Sequence, residues 1–436
     1  MVASKRVLII AYHFPPAPCA GALRPSHLAR YLPEFGWEPV VLTKHFSPGV
    51  ELPPYVETAR DLFTGLMGRR PAPGTSDSAA QKPVPGNGVL RSARDAVKKI
   101  ALFPDRAAGW LPAALARALE ISRRRRLDAI ISTSPPLTSH IIACLTALRR
   151  GLPWIADYRD LWFGNPYFGQ DLTTRITYAI ERWLLRHPAW ITGVSDHIVA
   201  HQRLAFNKSG EAIPSAYDPD DWKGLDDIHP ASFTLCYAGM LYDGKRRLDM
   251  VMSAVAALRR AGDPAGIAAR FEIYGPDDHL VRQLSEKFGL GDVVKSSGPV
   301  ERSKVLQAQR RAAVLLLPLS TDPATSQDVG SKIFEYIGAR RPIIAVGPPD
   351  SAVRHIIDSQ GLGWFVLDED SCAQAIRAAY ARFLGRNFEP ASAHGQIATA
   401  HDVARRFAGL LDEVYARRHP MPASLRPRPT SRRAVS

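Results

Sequence analysis

Three residues suited to binding an anion stand at the start of a predicted helix. Gly330, Ser331 and Lys332 follow a long apolar run, and Glu335 comes soon after them. The free backbone N–H groups and the positive dipole at a helix start attract anions, and glycine lets a phosphate approach the backbone closely. Lys332 adds a positive charge. The pattern therefore predicts a phosphate site at the start of this helix.

Glu335 is a single carboxylate among the apolar residues of that helix. It lies four residues after Ser331, so the two share roughly one helix face, about 6 Å apart along the axis. That offset suits a ribose joined to a pyrophosphate held at the helix start, with the carboxylate accepting two ribose hydroxyls. The alternative is an ordinary capped helix in which Glu335 is solvated or pairs with Arg340 or Arg341.

Two more glycines end strand-like segments in the same half of the chain. Gly239 is followed, after an Asp-Gly turn, by Lys245 and Arg246, and Gly275 is followed by Pro276. Each could be a plain turn between a strand and a helix. Three such strand ends in one domain favour a nucleotide site, with these residues as its donor-binding candidates.

Asp157, Arg159 and Asp160 form a dense group of charges at the end of a strand-like segment, and His13 and Arg24 flank the loop after the first strand. Acid and base so close together form either a structural ion pair or a site that binds an acceptor molecule, with Asp160 as its base. The same two interpretations apply to His13 and Arg24.

Short, continuous apolar runs alternate with helical patterns along the whole chain, which is typical of parallel sheets covered on both faces. The strand-like runs are residues 6–12, 38–43, 127–134, 153–160, 233–239, 270–275, 312–319 and 342–347. They predict an α/β fold of two doubly wound, Rossmann-like domains that face each other across a cleft. Ligands of such sheets bind at the carboxyl ends of the strands, where the residues above stand.

The domain boundaries follow from changes in composition. We predict an N-terminal domain over residues 1–205, a hinge over 206–230 that is rich in turn-forming and acidic residues, and a C-terminal domain over 231–415. Residues 71–88, rich in Pro, Gly, Ser and Ala, are predicted to form a flexible loop, and residues 419–436 a disordered basic tail.

The composition is that of a globular protein, with 46% hydrophobic and 22% charged residues over 436 positions. We find no secretory signal and no apolar run of the roughly 20 residues that span a bilayer. The four cysteines form no C-x-x-C pair, and no group of His, Asp and Glu has clear metal-ligand spacing. We therefore expect a cytoplasmic protein without a metal.

Six segments, taken in order, resemble the retaining glycosyltransferases of the GT-B fold, family 4, and in particular the bacterial exopolysaccharide, O-antigen and lipid-linked oligosaccharide branch. The resemblance covers about residues 5–415. Its segments are "YHFPPAPCAGALRPSHLARYL", "STSPPLTSH", "PWIADYRDLW", "AIPSAYDPDDW", "YAGMLYDGKRR" and "GSKIFEYIGARRPII".

The resemblance implies a sugar nucleotide bound mainly by the C-terminal domain and an acceptor bound mainly by the N-terminal domain. Lys245 matches the family lysine that reaches the donor phosphates, and Glu335 matches the second glutamate of the E-x7-E motif, which holds the ribose. Gly21 matches the glycine of the first loop, which approaches the donor. Met240 stands where the family usually has arginine.

The first glutamate of E-x7-E falls at Gln327, which cannot act as a carboxylate nucleophile. The neighbouring Asp328 is the alternative, so the catalytic candidates are Gln327, Asp328 and Asp160. Many members carry a histidine after the strand at 127–134. This chain has Ser134 and two prolines there, with His140 further on, and Ser134 joins the acceptor-binding candidates.

The reaction implied by the resemblance is transfer of a hexosyl or N-acetylhexosaminyl group with retention of configuration. In the family this is usually described as a front-face displacement, in which the departing phosphate helps to deprotonate the acceptor. The scheme uses no cofactor and no metal. Positive groups near the leaving pyrophosphate stabilise the charge that grows there.

The net charge of +14 is concentrated in the first half of the chain. Residues 1–200 hold 25 Lys and Arg against 15 Asp and Glu, whereas residues 201–418 hold 27 of each. Residues 89–103 have a basic amphipathic pattern, which indicates either a helix packed on its own domain or contact with an anionic membrane. The second interpretation suggests a lipid-linked acceptor and an enzyme peripheral to the inner face of the cytoplasmic membrane.

Two rival functions are consistent with parts of the sequence. A sugar-nucleotide epimerase can share the two-domain architecture, but it needs an acid and base pair beside the sugar, which Gln327 does not supply. A polyanion-binding or nucleic-acid-binding protein could use the four arginines at 123–126 and the basic tail, although no nucleic-acid module is recognisable. The donor base, the sugar, the acceptor and the oligomeric state are not predicted.

Overall fold

The computed structural model describes the chain in ten stretches. They are residues 4–17, 19–63, 103–165, 172–225, 229–242, 244–320, 322, 325–327, 329–388 and 398–419. The predicted loop at 71–88, nearly all of the basic segment at 89–103 and residues 420–436 of the tail lie outside them.

The first sheet is formed by short apolar strands, several of them completely buried. They are β1 (Lys5–Ile10), β2 (Trp37–Lys44), β3 (Val56–Ala59), β4 (Ala129–Ser134), β5 (Trp154–Tyr158), β6 (Trp190–Gly193) and β7 (Glu211–Ala212). The seven strands run parallel in the order β3-β2-β1-β4-β5-β6-β7. The chain changes direction across the sheet between β1 and β4, so a crevice opens there at the carboxyl ends.

Helices cover both faces of this sheet. They are α1 (Leu23–Tyr31), α2 (Leu111–Arg124), α3 (Thr138–Arg150), α4 (Leu172–Leu184) and α5 (Asp196–Phe206), with short 3-10 turns at Ala20–Ala22, Leu32–Phe35 and Ala108–Trp110. Apolar residues of α2, α3, α4 and α5 share one core with the sheet, and α1 packs in the core on its other face.

The second sheet has six parallel strands. They are β8 (Thr234–Ala238), β9 (Arg270–Tyr274), β10 (Val294–Ser296), β11 (Val314–Pro318), β12 (Ile343–Val346) and β13 (Gly363–Val366). Their order is β10-β9-β8-β11-β12-β13. Its helices are α6 (Leu248–Arg260), α7 (Pro264–Ala268), α8 (Asp278–Phe288), α9 (Arg302–Arg311), α10 (Lys332–Ala339), α11 (Ala352–Ser359) and α12 (Glu369–Leu384). The predicted α/β class with two doubly wound parallel sheets is confirmed.

The last described helix, α13 (Ala400–Arg418), returns to the first domain. Thr399 caps its start, and its apolar side, including Phe407 and Leu411, is buried with Val7 and Ile9 of β1. The predicted C-terminal domain ran to residue 415, but the structure places this helix against the first sheet. The apolar stripe of α13 needs a partner surface, and the face of the first sheet that α1 leaves uncovered provides it.

The segment between the two sheets is held by both domains. Asp218 accepts hydrogen bonds from Tyr31 (2.7 Å) and Arg30 (3.0 Å) of α1. Asp221, in the 3-10 turn Pro219–Trp222, accepts one from Arg302 of α9 (2.6 Å). These carboxylates therefore tie the connecting segment to a helix on each side. No described helix is both long and apolar enough to span a bilayer.

Candidate functional site

The carboxyl ends of both sheets open onto one cavity of about 880 Å³. The predicted site residues of the first domain that line it are His13, Gly21, Arg24, Arg159 and Asp160. Those of the second domain are Gly239, Gly275, Pro276, Gly330, Ser331, Lys332 and Glu335. The strand-end rule thus brings together residues that are more than 300 positions apart in the chain.

The start of α10 faces this cavity. Ser331 is its N-cap residue and accepts no capping hydrogen bond, so the first backbone N–H groups have no side-chain cap. A Cβ added to Gly330 would have no atom within 4 Å, which means that the backbone here borders open space. Both features suit an anion held at the helix start.

Lys332 is the first residue of α10 and lines the cavity. Its ammonium lies beside Gly239, because a Cβ at Gly239 would be 2.3 Å from the Lys332 Nζ atom. Gly239 has a φ of +153°, a conformation that favours glycine, and its missing side chain leaves the room that Lys332 occupies. Burial, together with the nearby charge of Arg246, lowers the pKa of Lys332 to about 8. An anion in the cavity would relieve this penalty.

Lys245 and Arg246 do not line the cavity. Lys245 is exposed, and the guanidinium of Arg246 donates to the carbonyl oxygen of Pro318 at 3.4 Å. The structure therefore places Lys332 in the wall of the predicted phosphate site, with the charge of Arg246 close behind it and Lys245 outside that wall.

Glu335 lines the cavity one turn beyond the helix start, with 17% of its side chain exposed. It accepts a hydrogen bond from Gln309 of α9 (2.6 Å) and forms an ion pair with Arg302. Arg302 also donates to Asp221 at 2.6 Å. A carboxylate held from two directions is already oriented to accept further donors such as ribose hydroxyls.

Neither arginine that the sequence offered as a partner of Glu335 pairs with it. Arg341 donates instead to the carbonyl oxygens of Arg310 (2.6 Å) and Arg340 (3.1 Å). Arg340 ends α10 in a left-handed conformation. The interpretation of Glu335 as solvated or paired within its own helix is therefore wrong, since its partners come from α9.

Gly275 has a structural reason to be glycine. A Cβ at this position would lie 2.1 Å from the carbonyl oxygen of Gly239, and its φ is +157°. The backbone N–H of Gly239 in turn donates to Tyr274 at 2.7 Å. Close contact between the ends of β8 and β9 explains this glycine, and Pro276 next to it completes the cavity wall.

Arg159 lies beside Gly21 in the part of the cavity wall that the first domain forms. A Cβ at Gly21 would be 2.3 Å from a guanidinium nitrogen of Arg159. Arg159 also donates to the carbonyl oxygen of Pro135. Burial lowers the pKa of Arg159, and the charges of Asp160 and Asp157 oppose that shift. Gly21 therefore makes room for a cavity arginine, and Asp160 lies exposed next to it.

Arg24 and Asp157 form the structural ion pair that was one of the two interpretations. The Arg24 Nε and Nη2 atoms each donate to the Asp157 carboxylate at 2.9 Å, and Thr192 donates at 2.8 Å. Asp157 is completely buried and does not line the cavity, which corrects its placement among the acceptor-binding residues. Burial raises its pKa, but the charge and hydrogen bonds of Arg24 hold that pKa below its ordinary value.

Cys19 and His13 form a contact in the first loop that the sequence did not indicate. Burial raises the pKa of the Cys19 thiol, but a hydrogen bond from His13 and the charges of Arg159 and Lys44 outweigh that effect and lower it. Both residues line the cavity. The first loop thus presents a polar surface to the cavity, with positive charges close to the thiol of Cys19.

Two family models match the chain. The glycosyl transferase 4-like domain matches residues 21–209, and glycosyl transferases group 1 matches residues 232–382, so that together they span more than three quarters of the sequence. The chain belongs to the family 4, group 1 glycosyltransferases. This glycosyltransferase is therefore a nucleotide-sugar-dependent enzyme of EC class 2.4. No curated protein sequence matches it significantly.

Solved structures share its GT-B fold. Sucrose-phosphate synthase from Thermosynechococcus elongatus is 15% identical with a TM-score of 0.58, covering 95% of this chain and 97% of that one. HepE from Anabaena, in complex with UDP and glucose, is 13% identical with a TM-score of 0.55 over 97% and 100%. WaaG, a glycosyltransferase involved in lipopolysaccharide biosynthesis, is 13% identical with a TM-score of 0.54 over 94% and 98%.

The glycosyltransferase differs from the sequence-based picture at the predicted catalytic position. Gln327 is exposed, donates to the carbonyl oxygen of Asp350 at 3.1 Å and does not line the cavity. Asp328 lies outside the described residues. The structure therefore places Gln327 outside the cavity wall, and its catalytic role stays a prediction.

Ser134 and His140 of the glycosyltransferase also lie away from the cavity wall. Ser134 is completely buried, and its carbonyl oxygen accepts from the Arg159 N–H at 2.8 Å. His140 is buried, its Nδ1 atom lies 2.7 Å from the Ser132 Oγ atom, and burial lowers the pKa of His140 to about 3. Ser134 is thus a packing residue, which corrects its placement among the acceptor-binding candidates.

Sequence reasoning missed Arg302, Gln309 and Asp221. Arg302 follows β10, a three-residue edge strand whose sequence "VKS" has no apolar run, so neither the strand nor the residues at its end were predicted. Within the described residues, no group of three or more His, Cys, Asp or Glu could hold a metal ion. Metal independence stays a prediction.

Proposed function

We propose that this glycosyltransferase moves a hexosyl or N-acetylhexosaminyl group from a nucleotide sugar to a lipid-linked saccharide, with retention of configuration, in the biosynthesis of a cell-surface polysaccharide. The observation that carries the donor side is the spacing of Lys332 and Glu335, which lie one helical turn apart on one wall of the cavity. Across it lie Asp160, Arg159 and His13 of the other domain.

The donor pyrophosphate is placed at the start of α10. Backbone N–H groups after Ser331 would donate to its oxygens, and Lys332 would neutralise charge at the same point. When the bond between the sugar C1 atom and the phosphate oxygen breaks, negative charge grows on the leaving nucleotide. A buried ammonium stabilises that charge more than it stabilises the intact donor, which is the condition for catalysis.

The ribose of the donor is placed against Glu335. Its carboxylate accepts the two ribose hydroxyls, while Gln309 and Arg302 hold it in position. HepE from Anabaena was solved with UDP-glucose, which supports a uridine nucleotide as the first donor to examine.

The transfer step balances without a side-chain nucleophile. The acceptor hydroxyl oxygen bonds to the sugar C1 atom on the face that the phosphate leaves, and the hydroxyl proton passes to the departing phosphate oxygen. Asp160, on the acceptor side of the cavity, orients that hydroxyl. WaaG, involved in lipopolysaccharide biosynthesis, supports a surface glycolipid as the acceptor class. We place the enzyme at the inner face of the cytoplasmic membrane.

Donor specificity and transfer can be tested in two steps. Thermal unfolding is first measured with UDP-, GDP- and ADP-sugars, because a bound ligand raises the unfolding temperature according to its affinity. The stabilising donor is then mixed with polyprenyl-pyrophosphate saccharides. We expect nucleoside diphosphate to be released only when the acceptor is present. We also expect the proton NMR coupling of the product to show the same anomeric configuration as in the donor.

Each alternative outcome has a distinct meaning. Inversion of configuration would contradict the front-face scheme, and turnover of the donor without any acceptor would favour epimerisation or hydrolysis. Stabilisation by no nucleotide sugar would refute the assignment of the donor site.

A further inference from the structure

The outer face of α4 has an unusual composition for a protein surface in water. Arg175, Ile176, Arg182, Trp183 and, just past the helix end, Arg186 are all exposed. Their spacing places them on one stripe of the helix. Ile176 is 45% exposed and Trp183 40% exposed. Apolar and cationic side chains therefore alternate along one solvent-facing stripe.

No carboxylate balances this stripe within the helix. The single acid of α4, Glu181, is completely buried. The described residues provide no ion-pair partner for Arg175, Arg182 or Arg186. Some other exposed arginines do have one, as in the pair of Arg282 with Asp278 at 2.9 Å. Within the part of the chain that the structure describes, the positive charge of the stripe is therefore unpaired.

The neighbouring helix extends the same surface. Tyr178 of α4 stacks on Phe206 of α5, with ring centroids 5.3 Å apart, and its hydroxyl donates to the Ala205 carbonyl at 3.4 Å. Close to this contact, Leu204 of α5 is 86% exposed, and Arg203 beside it is exposed as well. An exposed aliphatic side chain of this extent, next to another cation, continues the pattern of α4.

We propose that this surface, the outer face of α4 with Leu204, docks on an anionic lipid bilayer. A helix that lies in the bilayer interface buries Trp and aliphatic side chains among the acyl chains, while its arginines meet the lipid phosphates. Charge complementarity favours an anionic surface, and the exposed Trp183, Ile176 and Leu204 favour a lipid interface over a purely polar partner.

The position of α4 connects this surface to the acceptor side of the cavity. The helix follows β5 in the chain, and Asp160, just after β5, lines the cavity. A docked α4 would therefore hold the acceptor domain against the bilayer that carries a lipid-linked saccharide. The biological role of this docking rests on the proposed function, since it assumes a lipid-linked acceptor. The surface shares no residue with the basic segment at 89–103.

Vesicle flotation tests the proposal directly. The full chain is mixed with phosphatidylcholine vesicles with and without about one third phosphatidylglycerol. We expect flotation only with the anionic vesicles, weakened by added salt. The triple variant R175Q/R182Q/R186Q should bind roughly 100-fold more weakly, because each arginine near such a surface contributes about fivefold. The variant I176S/W183S should bind these vesicles more weakly than the wild type as well, and at high salt, where the charges are screened, it should lose the binding that the wild type keeps.

A matched control removes the same charge elsewhere. The triple variant R260Q/R282Q/R311Q lies in the second domain and should float like the wild type. Equal unfolding temperatures of all variants show that folding is intact. Flotation that persists in both α4 variants would overturn the proposal and point to another surface. A wild type that stays in the soluble fraction would also overturn it.

Donor binding separates this inference from the proposed function. The α4 variants should keep the wild-type affinity for the nucleotide sugar, since no residue of the stripe lines the cavity. If the wild type binds a donor but no vesicle, the docking surface alone is refuted. If it binds vesicles through α4 but no donor, the proposed function alone is refuted.

Discussion

Replacing Lys332 with Met should make the protein more stable and a poorer enzyme. Burial lowers the pKa of Lys332 to about 8, so the charged ammonium destabilises the fold at neutral pH. Lowering this pKa from 10.5 to about 8 corresponds to about 3 kcal/mol, which is an upper limit because the side chain keeps some solvent contact. Met fills a similar volume without that penalty.

The sign of the pH dependence follows from the lowered pKa. Below about pH 8 the lysine is charged in the folded and the unfolded chain, and the folded chain carries the whole penalty. Between about pH 8 and 10.4 only the unfolded chain is charged, so wild-type stability rises with pH. The stabilisation by Lys332→Met should therefore be largest at neutral pH and disappear near pH 10.

The same substitution should weaken donor binding. A hydrogen bond between a charged donor and a phosphate contributes about 1.5–3 kcal/mol, which predicts a roughly 10- to 150-fold loss of affinity. In the wild type, kcat/KM for the donor should fall above about pH 8, which is the pKa of Lys332 in the enzyme without ligand. Lys332→Arg should move that decline to higher pH.

Thermal unfolding without ligand and calorimetric titration with the donor measure the two effects in the same samples. Lys245→Met serves as the control, because Lys245 is exposed and does not line the cavity. It should change stability by less than about 0.5 kcal/mol. The reasoning is refuted if Lys332→Met unfolds at a lower temperature and binds the donor normally, and more so if Lys245→Met loses donor affinity.

Five further outcomes are expected. Arg302→Ala should raise the KM for the donor about tenfold with little change in kcat, since it loosens Glu335 without touching the reacting bond. Glu181→Gln should stabilise the protein at pH 8 by up to about 3 kcal/mol but not near pH 4, because burial raises the pKa of Glu181 to about 7 and the wild type loses stability as pH rises to that value. Gly275→Ala should fail to fold, because its Cβ would lie 2.1 Å from a backbone oxygen. Gly330→Ala should unfold at the wild-type temperature, because its Cβ would meet no atom within 4 Å, but it should lose donor affinity. Activity assays with and without EDTA should agree; a loss of activity with EDTA would contradict the metal-free scheme.

The parallel sheets could be predicted from the sequence because their central strands are continuous apolar runs. β4, β8 and β11 are buried at every position, and the apolar residues that fill most of β8 and β11 and begin β4 reveal them. β10 lies at a sheet edge, is half-exposed and has the sequence "VKS", so it carries no such run. β13, at the opposite edge, is short and mostly half-exposed. Missing β10 meant missing Arg302, which follows it.

The donor side of the site was more predictable than the acceptor side. A helix start and a residue one turn along it are local features, so Ser331, Lys332 and Glu335 could be located from spacing. The partners of a carboxylate are not local. Glu335 pairs with α9 and Asp157 with α1, and these contacts depend on how the helices pack.

The central claim is that α10 holds the two parts of a nucleoside diphosphate separately, the phosphates at its start and the ribose at Glu335. Titration calorimetry of the nucleoside diphosphate and of inorganic pyrophosphate against the wild type, Glu335→Ala and Lys332→Met tests it most directly. We predict that Glu335→Ala weakens binding of the nucleotide about tenfold or more and leaves pyrophosphate unchanged, whereas Lys332→Met weakens both. The account would be contradicted if Glu335→Ala kept the wild-type affinity for the nucleotide. It would also be contradicted if Glu335→Ala lost affinity for the nucleotide and for pyrophosphate by the same factor.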